Sequence, residues 1–441
     1  MKDLQLYEEL LGLRAPWQVT EVKMNLPAQE ITVTVACAEG EVWACPACSH
    51  RMHVHGWEER TWRHLDTCQC RTLLTARVPR LRCSHPQCPE GGTQSVPVPW
   101  AEKHSRFTRT FERLAIAVLQ QCSFSGAGQI LRLSWDEADG IQSRAVRRGL
   151  ARKEAAPPPV RRLCVDEKSF GRGHDYVTVV ARIEPGHSAT VEFLGDGRQT
   201  ATLDRYWQGL SDEQRQTVEA VGMDLWEPYR QSTSAHLPGA AEKIVHDPFH
   251  LLRHMNEAVN DVRKAEHRNL GAHGDQRLAG TRFLWLYGQE NLTEEARTRL
   301  DAVCTQRLRT GRAWCLKEAL RDLWQCADLT EGRAFFQWWY GWAIRSRLAP
   351  VKKVARMLQR HLPNILTWFA HRLTNGPIEG LNNKIQGLIK RAFGYRNRER
   401  FKTAVWFHCG GLQLAPVKNP PPFPEEPDWW EIQHFGNLTS S

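Results

Sequence analysis

The chain has 441 residues, 41% of them hydrophobic, and its 59 Lys and Arg against 49 Asp and Glu give a formal charge of +10. This length allows two to four domains with cores, and the charge favours a polyanionic partner, nucleic acid first. Apolar runs fall short of the roughly 20 residues that span a bilayer, and the first residues carry acids where a secretory signal is basic. We therefore expect a cytoplasmic protein without a membrane partner.

Two close cysteine pairs lie within residues 1–103. Cys45 and Cys48 form CPAC, and Cys83 and Cys88 form CSHPQC after the strand-like segment LLTARVPRLRC. Four thiolates so arranged predict a zinc ribbon, and four protein ligands make the Zn²⁺ structural. The second pair is more widely spaced, so the fourth ligand stays open. The alternative ligands are His85, Cys68, Cys70, His50, His53 and His55.

Residues 104–156 have a helical pattern. Three amphipathic segments are separated by short breaks, the second break being a corner at Ser134 and Trp135. This order resembles a helix-turn-helix, whose last helix enters a major groove. The DNA-binding candidates on that helix are Arg144, Arg147 and Arg148. A three-helix linker with a solvated basic face is the alternative, and the segment ends at a proline-rich spacer that predicts a domain boundary.

Residues 157–250 predict an α/β domain. RRLCVDEKSF places Asp166 at the end of an apolar strand, VEAVGMDLWEPY places Asp224 after another, and KIVHDPFHL ends at Asp247 and His250. The order strand-strand-strand-helix-strand-helix-strand is typical of the opening of an RNase H-like fold. Its closing helix is expected in residues 366–412, after an all-α insertion at 251–365. Residues 413–441 form a proline-rich tail.

In the insertion, Trp338 and Trp339 stand beside Phe335 and Phe336 in one predicted helix. Large aromatic residues of this kind are more often core than a DNA-stacking surface. We therefore predict that these aromatic side chains are buried.

Residues 374–400 predict the closing helix. Apolar residues recur at three- and four-residue steps, with Thr374 or Asn375 as cap, Glu379 in the first turn and Gly394 at the end. The basic residues that follow suit a polyanion lying alongside: Lys390, Arg391, Arg396 and Arg398.

Asp166, Asp224 and Glu379 are candidate ligands for paired Mg²⁺ or Mn²⁺ ions, which prefer hard oxygen donors. A single Asp at a strand end is more often a cap or turn residue. The hypothesis therefore depends on all three acids occurring in this order in these elements.

The blocks VDEKSF, GMDLWEPY, HDPFH and NGPIEGLNNKIQGLIKRAFGYRNRERF, with the cysteine-rich head, resemble the DDE-type insertion-sequence transposases of the ISL-three family. The resemblance implies that Asp166, Asp224 and Glu379 are the catalytic, Mg²⁺-binding triad. It implies a supporting role for Asp247 and His250, which match a D-x-x-H pattern. The internal alternative makes Asp247 the second catalytic acid.

The resemblance implies a DNA transposase that binds the terminal inverted repeats of an insertion sequence and performs metal-dependent strand cleavage and transfer. Its partners would be double-stranded DNA, namely the terminal repeats and the target. The protein would bind them as a homodimer or higher oligomer, at the nucleoid. A DNA-binding regulator without catalysis and a structure-specific nuclease are the alternatives. Strand joining discriminates the transposase from the nuclease.

Overall fold

The computed structural model describes residues 3–45, 47–89, 92–170, 175–186, 188–304 and 308–417. They divide into two compact units. The first holds the described residues up to Ala155 together with 412–417, and the second is Ala156–Gly411. Within these ranges, every helix is too short or too polar to cross a lipid bilayer.

The first unit begins with a helix and, within the described residues, a six-stranded sheet. Its elements are α1 (Asp3–Leu11), β1 (Trp17–Asn25), β2 (Glu30–Cys37), β3 (Trp43–Ala44), β4 (Arg51–Arg63), β5 (Arg71–Cys83) and β6 (Thr93–Ser95). The sheet order is β1-β2-β5-β4-β3, with β6 beside β5, and β2 and β5 run parallel. In β2, Ile31, Val33 and Val35 are buried and alternate with less buried residues, as expected for a strand with one face on the core.

Helices follow the sheet in the same unit: α2 (Arg109–Gln121), α3 (Phe124–Leu131) and α4 (Trp135–Ala155). Thr108 and Ser123 cap the first two through their hydroxyl oxygens. Before α4, the amide of Glu137 donates to the hydroxyl of Ser134, and the Ser134 amide donates to the Glu137 carboxylate. The predicted helical segments and the corner between the last two are confirmed.

The second unit contains, in its described residues, a five-stranded mixed sheet. Its first elements are β7 (Arg162–Ser169), β8 (Tyr176–Ile183), β9 (Ala189–Asp196), α5 (Thr200–Gly209), α6 (Asp212–Thr217), β10 (Ala220–Met223), α7 (Glu227–His236), α8 (Ala240–Lys243) and β11 (Ile244–His246). The order is β11-β10-β7-β8-β9. β7, β8 and β9 are antiparallel, whereas β10 runs parallel to β7 and β11.

Helices cover both faces of this sheet. One face packs against α16 (Gly376–Arg391) and α17 (Arg398–Cys409), and the other against α5 and α7. Successive strand residues point to opposite faces, so Cys164 packs on the α16 side and Leu163 and Val165 on the other. The sheet and its helices form an α/β/α arrangement.

Between β11 and α16, the described residues contain helices and no strand. These are α9 (Pro248–Gly271), α10 (Arg282–Leu286), α11 (Glu294–Cys304), α12 (Arg309–Arg321), α13 (Leu329–Arg345), α14 (Ala349–Leu366) and α15 (Trp368–His371). They enclose a hydrophobic core in which Trp285, Phe336 and Trp339 are fully buried. The prediction that Trp338 is core is wrong: it is 57% exposed, because successive helical residues point about 100° apart.

Two strand boundaries differ from those expected. Asp166 lies inside β7, because β8 continues to pair with it as far as Ser169. β11 ends at His246, and Pro248 begins α9, so His250 is helical. Asp247 is the N-cap of that helix.

The ends of α16 also differ from the prediction. Asn375 makes no side-chain capping bond. At the other end, the amides of Phe393 and Gly394 donate to the carbonyls of Lys390 and Ile389, a Schellman closure. Phe393 occupies the left-handed position with φ +52°, and its side chain is fully exposed. A bulky residue in this conformation is strained and gains no burial in return.

We predict that Phe393→Gly raises the free energy of unfolding by about 0.5–1 kcal/mol, because glycine adopts a left-handed φ without the Cβ penalty. Urea unfolding of the full chain measures this. The matched control is Gly394→Ala, at φ +94°, which lowers stability. A Phe393→Gly variant less stable than the parent would contradict this account of the helix end.

Candidate functional site

Three aspartates lie side by side at one edge of the second unit's sheet. Met223 of β10 pairs with Val165 of β7 on one side and with His246 of β11 on the other. The next residues along these strands are Asp166, Asp224 and Asp247. Neighbouring strands lie about 4.8 Å apart and residues in register share a face. Alternation along the strands places all three on the face that α16 covers.

Asp166 contacts α16 directly. Its Oδ2 accepts a 2.6 Å hydrogen bond from Nδ2 of Asn382, and its Oδ1 accepts one of 2.8 Å from the amide of Glu167. Burial, followed by the negative charge of Asp224, raises the pKa of Asp166 to about 7. Crowded negative charge of this kind is relieved by a bound cation.

His250 links Asp224 to Glu379. Its Nδ1 lies 3.0 Å from Oδ1 of Asp224, and its Nε2 lies 3.9 Å from Oε1 of Glu379. Burial acts to lower the pKa of His250, but the hydrogen bond and charge of Asp224 outweigh it, so the pKa is raised. Burial and then Asp247 raise the pKa of Glu379. The imidazole therefore stands between two of the predicted catalytic acids.

Both carboxylate oxygens of Asp247 accept hydrogen bonds from backbone amides. Its Oδ2 accepts from the amides of Phe249 and His250 at 3.0 and 3.3 Å, and its Oδ1 accepts from that of Asn375 at 2.9 Å. Asp247 is only 4% exposed, whereas the side chain of Asp224 is 26% exposed. This contrast favours Asp224 as an ion ligand and Asp247 as a residue that fixes the surrounding backbone.

The donor set suits a divalent cation with a preference for oxygen. Ligand atoms of Asp247, His250 and Glu379 lie within 4.8 Å of one another, and His250 connects this group to Asp224. Burial and then neighbouring carboxylates raise the pKa values of Asp166 and Glu379, and a bound cation would offset this crowding of negative charge. Mg²⁺ or Mn²⁺ fits such ligands.

Asn375 has a role that its sequence position does not reveal. It is 1% exposed, and its Nδ2 lies 3.5 Å from Oδ1 of Asp224. Gly222 leaves room for it, because a Cβ there would lie 3.0 Å from Oδ1 of Asn375 and 2.9 Å from Sγ of Cys164. A polar residue before a helix usually signals a cap, so the sequence carries no separate sign of this contact.

Arg198 is a second residue that sequence reasoning missed. Its guanidinium carbon lies 4.2 Å from the ring centre of Tyr176 and 4.4 Å from that of Trp226. Its Nη1 donates at 3.3 Å to Oε1 of Glu167, the neighbour of Asp166. Rings on both sides hold the guanidinium in place, and a fixed guanidinium suits a phosphate. An isolated arginine after a turn gives no sequence pattern to detect.

Four cysteine thiols of the first unit converge. Sγ of Cys45 lies 3.6 Å from that of Cys88, and Sγ of Cys48 lies 3.5 Å from that of Cys83. Zn–S bonds of about 2.3 Å in a tetrahedron place sulfurs about 3.8 Å apart, so the spacing fits zinc. The amide of Ala47, with that of Cys48, lowers the pKa of Cys45 to about 7, which favours the thiolate.

The alternative zinc ligands lie around or outside this group. His50 and His85 stack with ring centres 4.0 Å apart and approach Cys48. Cys68 and Cys70 are not part of the four-thiol group. His53 and His55 are exposed residues of β4. The four thiols supply the four ligands that a structural zinc takes without any of these residues.

The arginines of α4 differ in their surroundings. Nη2 of Arg144 lies 2.6 Å from Oε1 of Glu112, and Nη2 of Arg148 lies 3.0 Å from Oε2 of the same carboxylate and 2.7 Å from Glu102. Glu112 is buried in α2, so these ion pairs hold α4 against α2. Arg147 is exposed. DNA contact by the three arginines stays a prediction, and Arg147 is the most accessible.

The basic residues after Glu379 are similarly divided. Lys390, Arg391 and Arg396 are exposed, and Nη2 of Arg391 is 3.1 Å from Nε2 of His408. Arg398 pairs with Asp175 and Asp196, so its charge is largely neutralised inside the unit.

Family models match most of the chain. Residues 163–405, more than half of the sequence, match the ISL3 model described as a transposase. The chain belongs to the ISL3 family of transposases. Residues 41–88 match the zinc-finger of transposase IS204/IS1001/IS1096/IS1165, and residues 96–146 match the helix-turn-helix domain of transposase family ISL3.

Similar proteins with known names are also transposases of insertion sequences. The chain is 27% identical over 365 residues to the transposase for insertion sequence element IS1001 of Bordetella parapertussis, covering 82% of this chain and 87% of the relative. It is 26% identical over 426 residues to the transposase for IS1557 of Mycobacterium tuberculosis (strain CDC 1551 / Oshkosh), covering 90% and 93%. The predicted family, zinc ribbon and helix-turn-helix are thereby confirmed, and the protein is a DNA-binding transposase.

We predict that the purified ISL3 transposase carries one Zn²⁺ per chain and that Cys83→Ser removes it and weakens folding of the first unit, since structural zinc supplies folding energy. Elemental analysis and circular dichroism measure both effects. Cys68→Ser is the control, because this exposed cysteine lies outside the thiol group. Full zinc content in Cys83→Ser would refute the ligand set.

We predict that Arg144→Gln lowers the free energy of unfolding by about 2 kcal/mol, because Glu112 loses a charged partner while buried. Arg147→Gln should leave stability within about 0.5 kcal/mol and weaken DNA binding. Thermal unfolding and a DNA titration at fixed salt separate the two. Unchanged DNA affinity in Arg147→Gln would remove this arginine from the interface.

Proposed function

We propose that this ISL3 transposase binds the terminal inverted repeats of its insertion sequence and cleaves and joins DNA strands with Mg²⁺ or Mn²⁺ held by Asp166, Asp224 and Glu379. The observation that carries the proposal is the meeting of Glu379 with the aspartate row through His250 and Asn382. Family membership supports the DNA substrate.

The proposed catalytic core is RNase H-like, with an all-α insertion between β11 and α16. Support comes from the strand order, the mixed pairing and the separate hydrophobic core of the helices. The proposed domains are a zinc ribbon at 1–103, a helix-turn-helix at 104–156, core segments at 157–250 and 366–412, the insertion at 251–365 and a tail at 413–441.

The residues have distinct roles in the proposed chemistry. Asp166, Asp224 and Glu379 hold the cations, and Asp247 and Asn375 fix the backbone around them. Divalent cations held by these carboxylates would supply Lewis acidity, which lowers the pKa of an attacking water or 3′-hydroxyl and offsets charge on the leaving oxygen. Attack forms one P–O bond as the opposite P–O bond breaks, and the departing 3′-oxygen takes up a proton. Arg198 contacts a phosphate oxygen.

The DNA partners are the two ends of the element and the target. Arg147, Lys390 and Arg396 are exposed and would contact phosphates. Holding two ends at once favours a homodimer or higher oligomer on DNA. A chromosomal DNA partner places the protein at the nucleoid.

We predict that Asp166→Asn, Asp224→Asn and Glu379→Gln each reduce strand cleavage and joining by at least about a thousandfold, because each removes a charge that holds the cation. DNA affinity and thermal stability should be retained, since an amide keeps the side-chain size. Labelled element-end duplexes with Mg²⁺ measure cleavage and joining, and filter binding measures affinity.

Asp212→Asn is the control, because Asp212 is a highly exposed acid of the same unit. Asp247→Asn should lose thermal stability as well as activity, since the carboxylate caps α9 and binds the Asn375 amide. If Asp224→Asn cleaves normally and Asp247→Asn does not, the second acid is Asp247. Normal cleavage by all variants would refute the proposed site.

A further inference from the structure

The helical part of the second unit contains a long stretch without acids. Asp and Glu account for 49 of the 441 residues, yet none occurs between Glu331 and Glu379. The same stretch contains eight Lys and Arg. Glu331 lies in the first turn of α13, so the stretch covers the rest of α13 and all of α14. These two helices pack against each other as a helical hairpin. Beyond that first turn, the charged residues of the hairpin are all Lys or Arg.

Exposed indoles lie on the first helix of this hairpin. Trp338 and Trp342 are 57% and 37% exposed, and their ring centres lie 5.7 Å apart. They are four positions apart, which places them on one side of α13. Trp339 and Phe336 fill the core from the other side. Part of each indole is thus open to a ligand.

Cations surround the turn that follows. Arg345 and Arg347 are exposed at the turn, and Lys353 is exposed in the first turns of α14. Arg312 of α12 also reaches it, with Nη1 3.3 Å from the carbonyl oxygen of Ser346. In the described parts of the chain, no carboxylate pairs with these cations. We call these residues the hairpin patch: Trp338, Trp342, Arg312, Arg345, Arg347 and Lys353.

We propose that the hairpin patch binds an unpaired segment of a DNA strand, with the cations on phosphates and the indoles against exposed bases. Positive charge that follows a strand, beside aromatic rings for stacking, is how proteins bind single strands. Paired bases inside a duplex present no free face to an indole, so the patch favours overhangs, frayed ends and extruded bases over blunt duplex.

A second copy of the chain fits the hairpin patch less well than DNA does. A two-fold symmetric contact through the patch would place the same cations opposite one another, and like charges without acids repel. DNA supplies the complementary charge. The inference depends on DNA binding by this family and not on the proposed strand cleavage.

The test uses the full-length protein in a chelator, so that cleavage cannot contribute. A duplex with a single-stranded overhang containing 5-iododeoxyuridine is cross-linked by light, and the attached peptide is identified by mass spectrometry. We expect attachment at Trp338 or Trp342. We also expect the double variant Trp338→Leu, Trp342→Leu to bind the overhang duplex about tenfold more weakly, with blunt-duplex affinity unchanged.

Phe283→Leu is the aromatic control, because Phe283 is similarly exposed on α10. Lys353→Gln should reduce the salt dependence of overhang binding, whereas Lys264→Gln, whose lysine pairs with Asp261, should not. Circular dichroism checks folding, and wild-type cross-linking requires no variant. Wild-type overhang affinity in the folded double variant would overturn the proposal. Cross-links found only outside the hairpin patch would also overturn the proposal. The same holds if the double variant loses self-association but keeps its overhang binding.

Discussion

The register of three parallel strands is the constraint on which the second unit depends. Pairing of Met223 with Val165 and His246 makes the next row entirely acidic, and like charges about 5 Å apart repel. The repulsion is relieved in a different way at each aspartate. Asp166 has a pKa raised to about 7 by burial and its neighbour, Asp224 meets His250, and Asp247 is surrounded by backbone amides. The amides that Asp247 accepts are those at the starts of α9 and α16.

The same row joins both ends of the helical region to the sheet. Asp247 caps α9, where that region starts, and accepts the amide of Asn375, where α16 starts. These two residues are 128 positions apart in sequence. One hydrogen bond between them joins the start and the end of the helical region beside the acids. His250 and Glu379 are thereby carried into contact from opposite ends of the helical region.

Local patterns of the sequence predict much of this arrangement, and non-local pairing decides the rest. The apolar period of α16 predicts its buried face, and the alternation in β2 predicts that strand. The cysteine pairs predict the thiol group because a zinc site restricts spacing so strongly. By contrast, the extension of β7 beyond Asp166 depends on how far β8 pairs, and the contacts of Asn375 and Arg198 depend on elements distant in sequence. The exposure of Trp338 depends on which side of α13 meets the core.

The net charge of +10 does not reveal where a polyanion binds, because many arginines neutralise acids of the same unit. Arg144 and Arg148 surround Glu112, and Arg398 lies between Asp175 and Asp196. Such pairs stabilise the fold and contribute little field outside it. The charge that DNA can encounter lies on cations without such acids beside them, among them Arg147 on α4, Lys390 and Arg396 after the acids, and the hairpin patch. A surface for nucleic acid is thus defined by the absence of nearby carboxylates, and the fold decides which acids are nearby.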